Sequence, residues 1–360
     1  MKRFAIFIIF CTGISWGGYG QDTLRKWDLK SCIEYALEHN IQVEKSKLFL
    51  EESRENTLQA KSQLFPSLSF STGHNLENRP YADKEAGGDK NSYSGSYGLN
   101  SSVALYNGGR LRLNIRQQEL SDKIQELYIR EAGNNIQVSI TESYLQILYA
   151  AESVEINRNT VEVSEAQCER AKQLLEAGAL SRSDVAQLVA QYSSDKYQLV
   201  AARSALEEQK LVLKQLLELN LSDEMELFIL RLSEQDVLRP LPSKDEAYTA
   251  ALAFMPEIES SRLAVESAGY DVSIARSGYL PSLNLSAGIG SGHISGTGNS
   301  VGNQLKRNFN ESIGLTLSVP IYSNHENKSA MKLARLKVEN ADLDYRDAQK
   351  EILKTGETVY

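Results

Sequence analysis

The chain has 360 residues, of which 24% are charged, with a formal net charge of −8 and an isoelectric point near 5.3. A balance this acidic argues against a nucleic-acid partner. Its three cysteines and four histidines (His39, His74, His293 and His325) show no spacing that would assemble metal ligands, so neither a metal nor another cofactor is expected.

Met1 to Gly20 begins with Lys2 and Arg3, continues through an apolar core from Phe4 to Ile14, and ends in the small residues Gly18 and Gly20. That is the pattern of a secretory signal peptide. A lipoprotein signal acylated on Cys11 is the competing reading, although bulky Phe10 precedes the cysteine and the residues after it stay apolar. No later apolar run reaches the roughly 18 residues of a membrane-crossing helix. If the mature chain enters a membrane, it does so as strands. Export would allow a disulfide between Cys32 and Cys168, but both sit in helical patterns, and free thiols are the simpler expectation.

In the first repeat, 21–220, a helix is predicted over 28–62. A strand over 66–76 starts at Pro66 in QLFPSLSFS. Leu68, Phe70 and Thr72 alternate with Ser67, Ser69 and Ser71. In a second strand, 96–106, Leu99, Val103 and Leu105 oppose Asn100, Ser102 and Ala104. Gly108 and Gly109 then join this strand to a helical hairpin over 109–219. From Arg110 to Ala177 there is no proline and one glycine, Gly133, enough for a rod of roughly 100 Å at 1.5 Å per residue. Ile140, Ile147, Val154, Val161, Cys168 and Leu175 recur every seventh residue, with smaller Ser143, Ala150, Asn157, Ser164 and Ala171 between them. That is a coiled-coil seam with one thin side. LLEAGALSRSDV, 174–185, breaks it. Gly178 can take the left-handed conformation that ends one helix, Ser181 can cap the next with Asp184 in its first turn, and Leu180 can staple onto Val185. The returning helix repeats the seven-residue period at Val185, Tyr192, Leu199, Leu206 and Leu213, and a linker follows over 221–242.

Shifted by 215, QLFPSLSFS falls on GYLPSLNLS at 278–286, and its flanks align as well. The second repeat, 243–360, should therefore hold a helix over 243–277, strands over 281–291 (starting at Pro281) and 311–322 (with Pro320 near its end), and a long helix starting over 326–360. GIGSGHISGTG, 288–298, has glycines spaced loosely like a nucleotide loop, but no helix pattern follows it up to Asn303, which makes it a strand-tip loop. Strands of strict two-residue period fit either a membrane barrel or a soluble sheet with one buried face. The signal peptide tips the balance to the membrane, where four strands alone leave their edges unpaired. Two chains would supply about eight strands and a filled interior, three about twelve and a channel.

FPSL at Phe65 to Leu68, LPSL at Leu280 to Leu283, the joints ALYNGGR (Ala104 to Arg110) and VPIYSN (Val319 to Asn324), and the tip turn followed by AQLVAQ (Ala186 to Gln191) resemble, in this order and duplication, the TolC-like outer-membrane efflux proteins. The resemblance runs from about Trp27 to the end. It implies a mainly α fold with a transmembrane β part. Homotrimers would form a β-barrel of four strands per chain, set in outer-membrane lipid, on a long periplasmic α-helical coiled-coil barrel, with 221–242 in an equatorial belt. The implied function is non-enzymatic: an exit duct of a tripartite efflux pump or type I secretion system, passively conducting what an inner-membrane transporter delivers through a periplasmic adaptor. The adaptor would dock on the tip at Ala177, Gly178, Ala179, Ser181 and Asp184. Family members continue with the rest of the second long helix, a second tip and a returning helix bearing an acidic constriction. The chain is therefore expected to be C-terminally truncated, and no gate residue carries over. The alternative is a non-conducting structural or adhesive surface protein with a coiled-coil stalk.

Overall fold

The computed structural model describes residues 27–81, 91–220, 225, 227, 228 and 243–359. The signal peptide and most of the 221–242 linker lie outside the described residues. Those described fall into two compact units, one holding 27–36 and 139–228, the other 37–138 and 243–359.

The first unit is built on helix α3 (Arg110–Glu176) from residue 139 onward and on helix α4 (Arg182–Leu216), with the start of α1 (Leu29–His39). Ile140 and Ile147 are fully buried, as the heptads require. Ser143, Ala150, Ser164 and Ala171, on the thin side of the pattern, are buried too, whereas Val154 and Val161 are half-buried. Small side chains allow the close approach, so burial follows size as well as the seven-residue register. Cys32 and Cys168 are buried and not joined in a disulfide. The Tyr144 hydroxyl donates to the Phe228 carbonyl at 2.5 Å, and Trp27 bridges to Leu227, which ties the start of the described chain to the linker.

The second unit corrects two predicted helices. The expected helix over 28–62 is broken at Asn40, which is extended (φ −67°, ψ 129°) and caps α2 (Ile41–Ser62) by accepting from the Gln42 N–H at 2.9 Å. The expected helix over 243–277 is likewise two: α5 (Lys244–Phe254) and α6 (Pro256–Ser277). Here Met255 is extended (φ −72°, ψ 129°) because the Pro256 ring bars the helical conformation before it. Asn40 and Met255 are one repeat shift apart, so the kink is duplicated although its cause is not. Helix α2 is bonded to α3 through the Asp122 carboxylate, which accepts from Ser53 Oγ at 2.6 Å and Thr57 Oγ1 at 2.9 Å. Helix α6 packs along α8 (Glu326–Val359).

Four antiparallel strands, β1 (Ser67–Asn78), β2 (Asn91–Asn107), β3 (Ser282–Ile294) and β4 (Asn310–Ser318), form one sheet in the order β1-β2-β3-β4. The two-residue period sorts them into two faces. One cross-strand row reads Leu68–Ser101–Ala287–Ile313 and the next Phe70–Leu99–Ile289–Glu311, while the rows between are of the kind Ser69–Asn100–Gly288–Ser312. Pro66 and Pro281 each stand one residue before a strand, after a helix end tightened in the same way: Leu64 and Phe65 N–H bond back to Lys61 and Ser62 carbonyls, Tyr279 and Leu280 N–H to Arg276 and Ser277. The predicted tip loop is corrected as well. β3 runs on to Ile294, and a short helix, α7 (Val301–Arg307), follows it, started by Ser300 Oγ capping Asn303 N–H. β4 ends at Ser318 rather than 322, two residues before Pro320, which has no N–H to continue the ladder.

Gly108 (φ +66°) and Gly109 (φ +82°) turn β2 into α3 through a left-handed pair. The turn into α8 uses the same device at Asn324 (φ +45°) and His325 (φ +70°), 216 residues later and without glycine. A side chain on Gly108 would stand 2.8 Å from the Ser277 carbonyl, whereas Gly109 faces open space. Thermal unfolding should therefore rank Gly108→Ala well below Gly109→Ala. The latter should lose about 1–2 kcal/mol to backbone conformation alone, and His325→Gly should be neutral or stabilising.

Candidate functional site

The predicted tip residues lie in the first unit and are organised by backbone bonds. Gly178 takes φ +73°, and its N–H reaches the Leu175 carbonyl at 3.0 Å while Ala179 N–H reaches Leu174 at 2.8 Å. These paired bonds close the end of α3 in a Schellman motif. Ser181 (φ −81°, ψ 155°) caps α4: its Oγ accepts from Asp184 N–H at 3.2 Å and donates to the Asp184 carboxylate at 2.7 Å. That carboxylate also sits at the positive end of the α4 dipole. Leu180 is half-buried and Val185 buried, at the two staple positions. The N–H groups of Ala177, Gly178 and Ala179 are all bonded back to the last turn of α3, and the three residues are exposed. These three residues are small and uncharged, and the exposed charges of Glu176, Arg182 and Asp184 flank them.

Further along the hairpin, the Tyr192 hydroxyl donates to the Glu165 carboxylate at 2.7 Å, linking α4 to α3 and pushing the phenol pKa up. Asp195 is buried on α4, where Gln191 donates to it at 2.8 Å.

Pro66, Pro281, Gly108, Gly109 and Pro320 belong to the second unit, around the sheet. The apolar face of the sheet is open, with Leu68 70% and Ile313 78% exposed. At the end of the sheet away from the long helices this face carries rings: His74 stacks on Tyr93 (centroids 5.9 Å apart), and Tyr97 packs against both His74 (5.6 Å) and His293 (6.1 Å). They gather over Gly95, where any side chain would collide with His293. Strand alternation puts them on one face, but only the cross-strand register brings them together. The only sequence mark of the left-handed pair Asn324 and His325 is its repeat correspondence with Gly108 and Gly109.

The model of the outer membrane efflux protein family matches residues 32–218 and 247–360. The chain belongs to that family. The alkaline protease secretion protein AprF of Pseudomonas aeruginosa is 28% identical over 278 residues, 76% of this chain and 55% of AprF. The outer membrane efflux protein BepC of Brucella suis biovar 1 is 24% identical over 318 residues, 88% of this chain and 65% of BepC. The chain thus spans 55% and 65% of the length of these two relatives. Among solved structures, the CmeC outer membrane channel of Campylobacter jejuni superposes with a TM-score of 0.75 at 21% identity, covering 89% of this chain and 67% of CmeC. The outer membrane protein VceC of Vibrio cholerae gives 0.70 at 20%, covering 90% and 75%. This efflux-family chain therefore has the fold of those channels, and its family places it in the outer membrane.

Within the second unit, the pKa of Glu131 on α3 is raised, first by burial and then by the neighbouring charge of Glu257, whose Oε2 is buried with no hydrogen-bond partner among the described residues. A carboxylate whose folded pKa is raised withdraws stability as pH climbs through that pKa. Glu131→Gln should raise the unfolding temperature at neutral pH, and the gain should vanish below pH 4, where both states are protonated. A gain that persisted at low pH would show that packing, not charge, was responsible.

Proposed function

We propose that this chain is the channel subunit of an outer-membrane exit duct serving a tripartite efflux pump or a type I secretion system. The observation that carries the reading is the sheet: one face apolar and exposed, the other built from serine, glycine and asparagine, with β1 and β4 at its edges. In hydrocarbon each unsatisfied strand edge costs several kcal/mol for every unpaired group. Closure therefore calls for more copies. Three chains bring twelve strands, four from each, and a barrel of about that size leaves an aqueous lumen. Among the described residues no helix is long and apolar enough to cross a membrane.

Conduction through such a duct is passive. The energy comes from an inner-membrane transporter, and a periplasmic adaptor couples the two at the hairpin tips. Ala177 and Ala179 support that docking role because they are small and exposed, with their own N–H groups already bonded within the turn.

In planar bilayers the purified protein should give discrete channel openings. Ala177→Trp and Ala179→Trp should abolish efflux in cells while trimers still reach the outer membrane; unchanged efflux would remove the tip as the docking place. Absence of openings, together with unchanged drug and dye sensitivity on deletion, would favour the non-conducting stalk.

A further inference from the structure

Helix α7 has no role in closing a barrel or meeting an adaptor, yet it is firmly built in. Above the level where β4 stops, the outer edge of β3 would be bare; Gln304 fills it. Its buried side-chain amide accepts from Ile294 N–H at 2.9 Å and donates to Ile294 and Asn299 carbonyls at 3.0 Å each, as a neighbouring strand would. Ser291 Oγ, on the apolar face, donates to the Leu305 carbonyl at 2.6 Å, and Asn308 Nδ2 to the Gly292 carbonyl at 2.7 Å. The helix is thereby fixed on the outward side of β3, level with His293 and the rings beside it.

That level has a chemical meaning. All four strands meet their long helices at one end of the sheet; α7 and the ring cluster stand at the other, above the apolar band. Tyrosine and histidine rings at the border of an apolar band suit a membrane–water interface, where an apolar body and a polar tip are both accommodated. At this height α7 carries Lys306 and Arg307, both exposed, and Phe309, 54% exposed, follows. Neither cation has an ion-pair partner among the described residues. Arg79, just past the end of β1, is in contrast already held by Glu77 through two bonds of 2.9 Å. Glu311 lies on the same face but lower, in the row of Ile289, away from the interface.

We propose that α7 is a lipid clamp: Lys306 and Arg307 bind the phosphate of an anionic lipid in the outer leaflet, Phe309 lies against its upper acyl chain, and Gln304 is the positioning residue that holds the helix at headgroup height. Adjacent cations with no ion-pair partner among the described residues, beside an apolar contact, fit such a lipid better than a soluble anion, which would gain nothing from the phenylalanine. The inference rests on the barrel reading above, because only there does this edge of the sheet meet headgroups.

Native mass spectrometry of the protein extracted from mixed phosphatidylglycerol and phosphatidylcholine vesicles tests it, with flotation and protease protection reporting insertion separately. The wild type should retain phosphatidylglycerol over phosphatidylcholine. The double variant Lys306→Gln/Arg307→Gln should insert equally well and lose that preference by about 30-fold, the scale of two cations at an anionic surface. Gln304→Ala, with both charges kept, should lose part of it. An inserted double variant that retains phosphatidylglycerol like the wild type overturns the clamp alone. Failure of the wild type to insert in any vesicle overturns the barrel reading and the clamp with it.

Discussion

A sheet edge in a bilayer has nowhere to send its hydrogen bonds, and most of this chain can be understood as an answer to that constraint. Four strands with an exposed apolar face and two open edges are not a stable object in either water or lipid. In water the face is wrong; in lipid the edges are. On the proposed reading, association edge to edge resolves both, and the polar face becomes the wall of a lumen. The device at the top of β3, where a glutamine amide replaces the missing neighbour strand, answers the same constraint locally.

Duplication explains how the chain provides enough strands from few inventions. Each half runs kinked helix, strand, strand, left-handed turn, long helix, and corresponding points fall 215 or 216 residues apart. At the kinks and left-handed turns the halves share backbone geometry rather than residue type, whereas Pro66 and Pro281 repeat both. Asn40 makes the first kink by capping, Met255 the second because proline follows. Gly108 and Gly109 make the first left-handed turn, Asn324 and His325 the second. Different side chains reach the same dihedral angles at different energetic cost, and asparagine tolerates the left-handed region better than most.

The features legible in the sequence were those with a long period or a specific cap. The two-faced strands could be read because alternation over ten residues leaves little freedom, and the hairpin tip because glycine, serine and aspartate each have one suited position in such a turn. Family resemblance supplied the rest of the fold. The kinks were missed because a helical pattern on both sides of Asn40 and Met255 outweighed one extended residue, although Pro256 announced the second. Helix α7, at seven residues, is too short to show a period, and the left-handed turn at Asn324 and His325 is marked in sequence only by its repeat correspondence with Gly108 and Gly109. For the site, the small exposed residues of the tip were legible; the ring cluster was not, because its members come from three strands and meet only once the register is known.

Covalent linkage between strand edges tests the central claim most directly. With Cys32 and Cys168 replaced by alanine, cysteines are placed on β1 at Ser67, Ser69 or Ser71 and, in the same chain, on β4 at Ser312, Gly314 or Thr316, all on the polar face. If neighbouring copies close the sheet, at least one pairing should give covalent trimers on a denaturing gel after mild oxidation in the membrane. Chains that stay monomeric at every pairing would contradict the account.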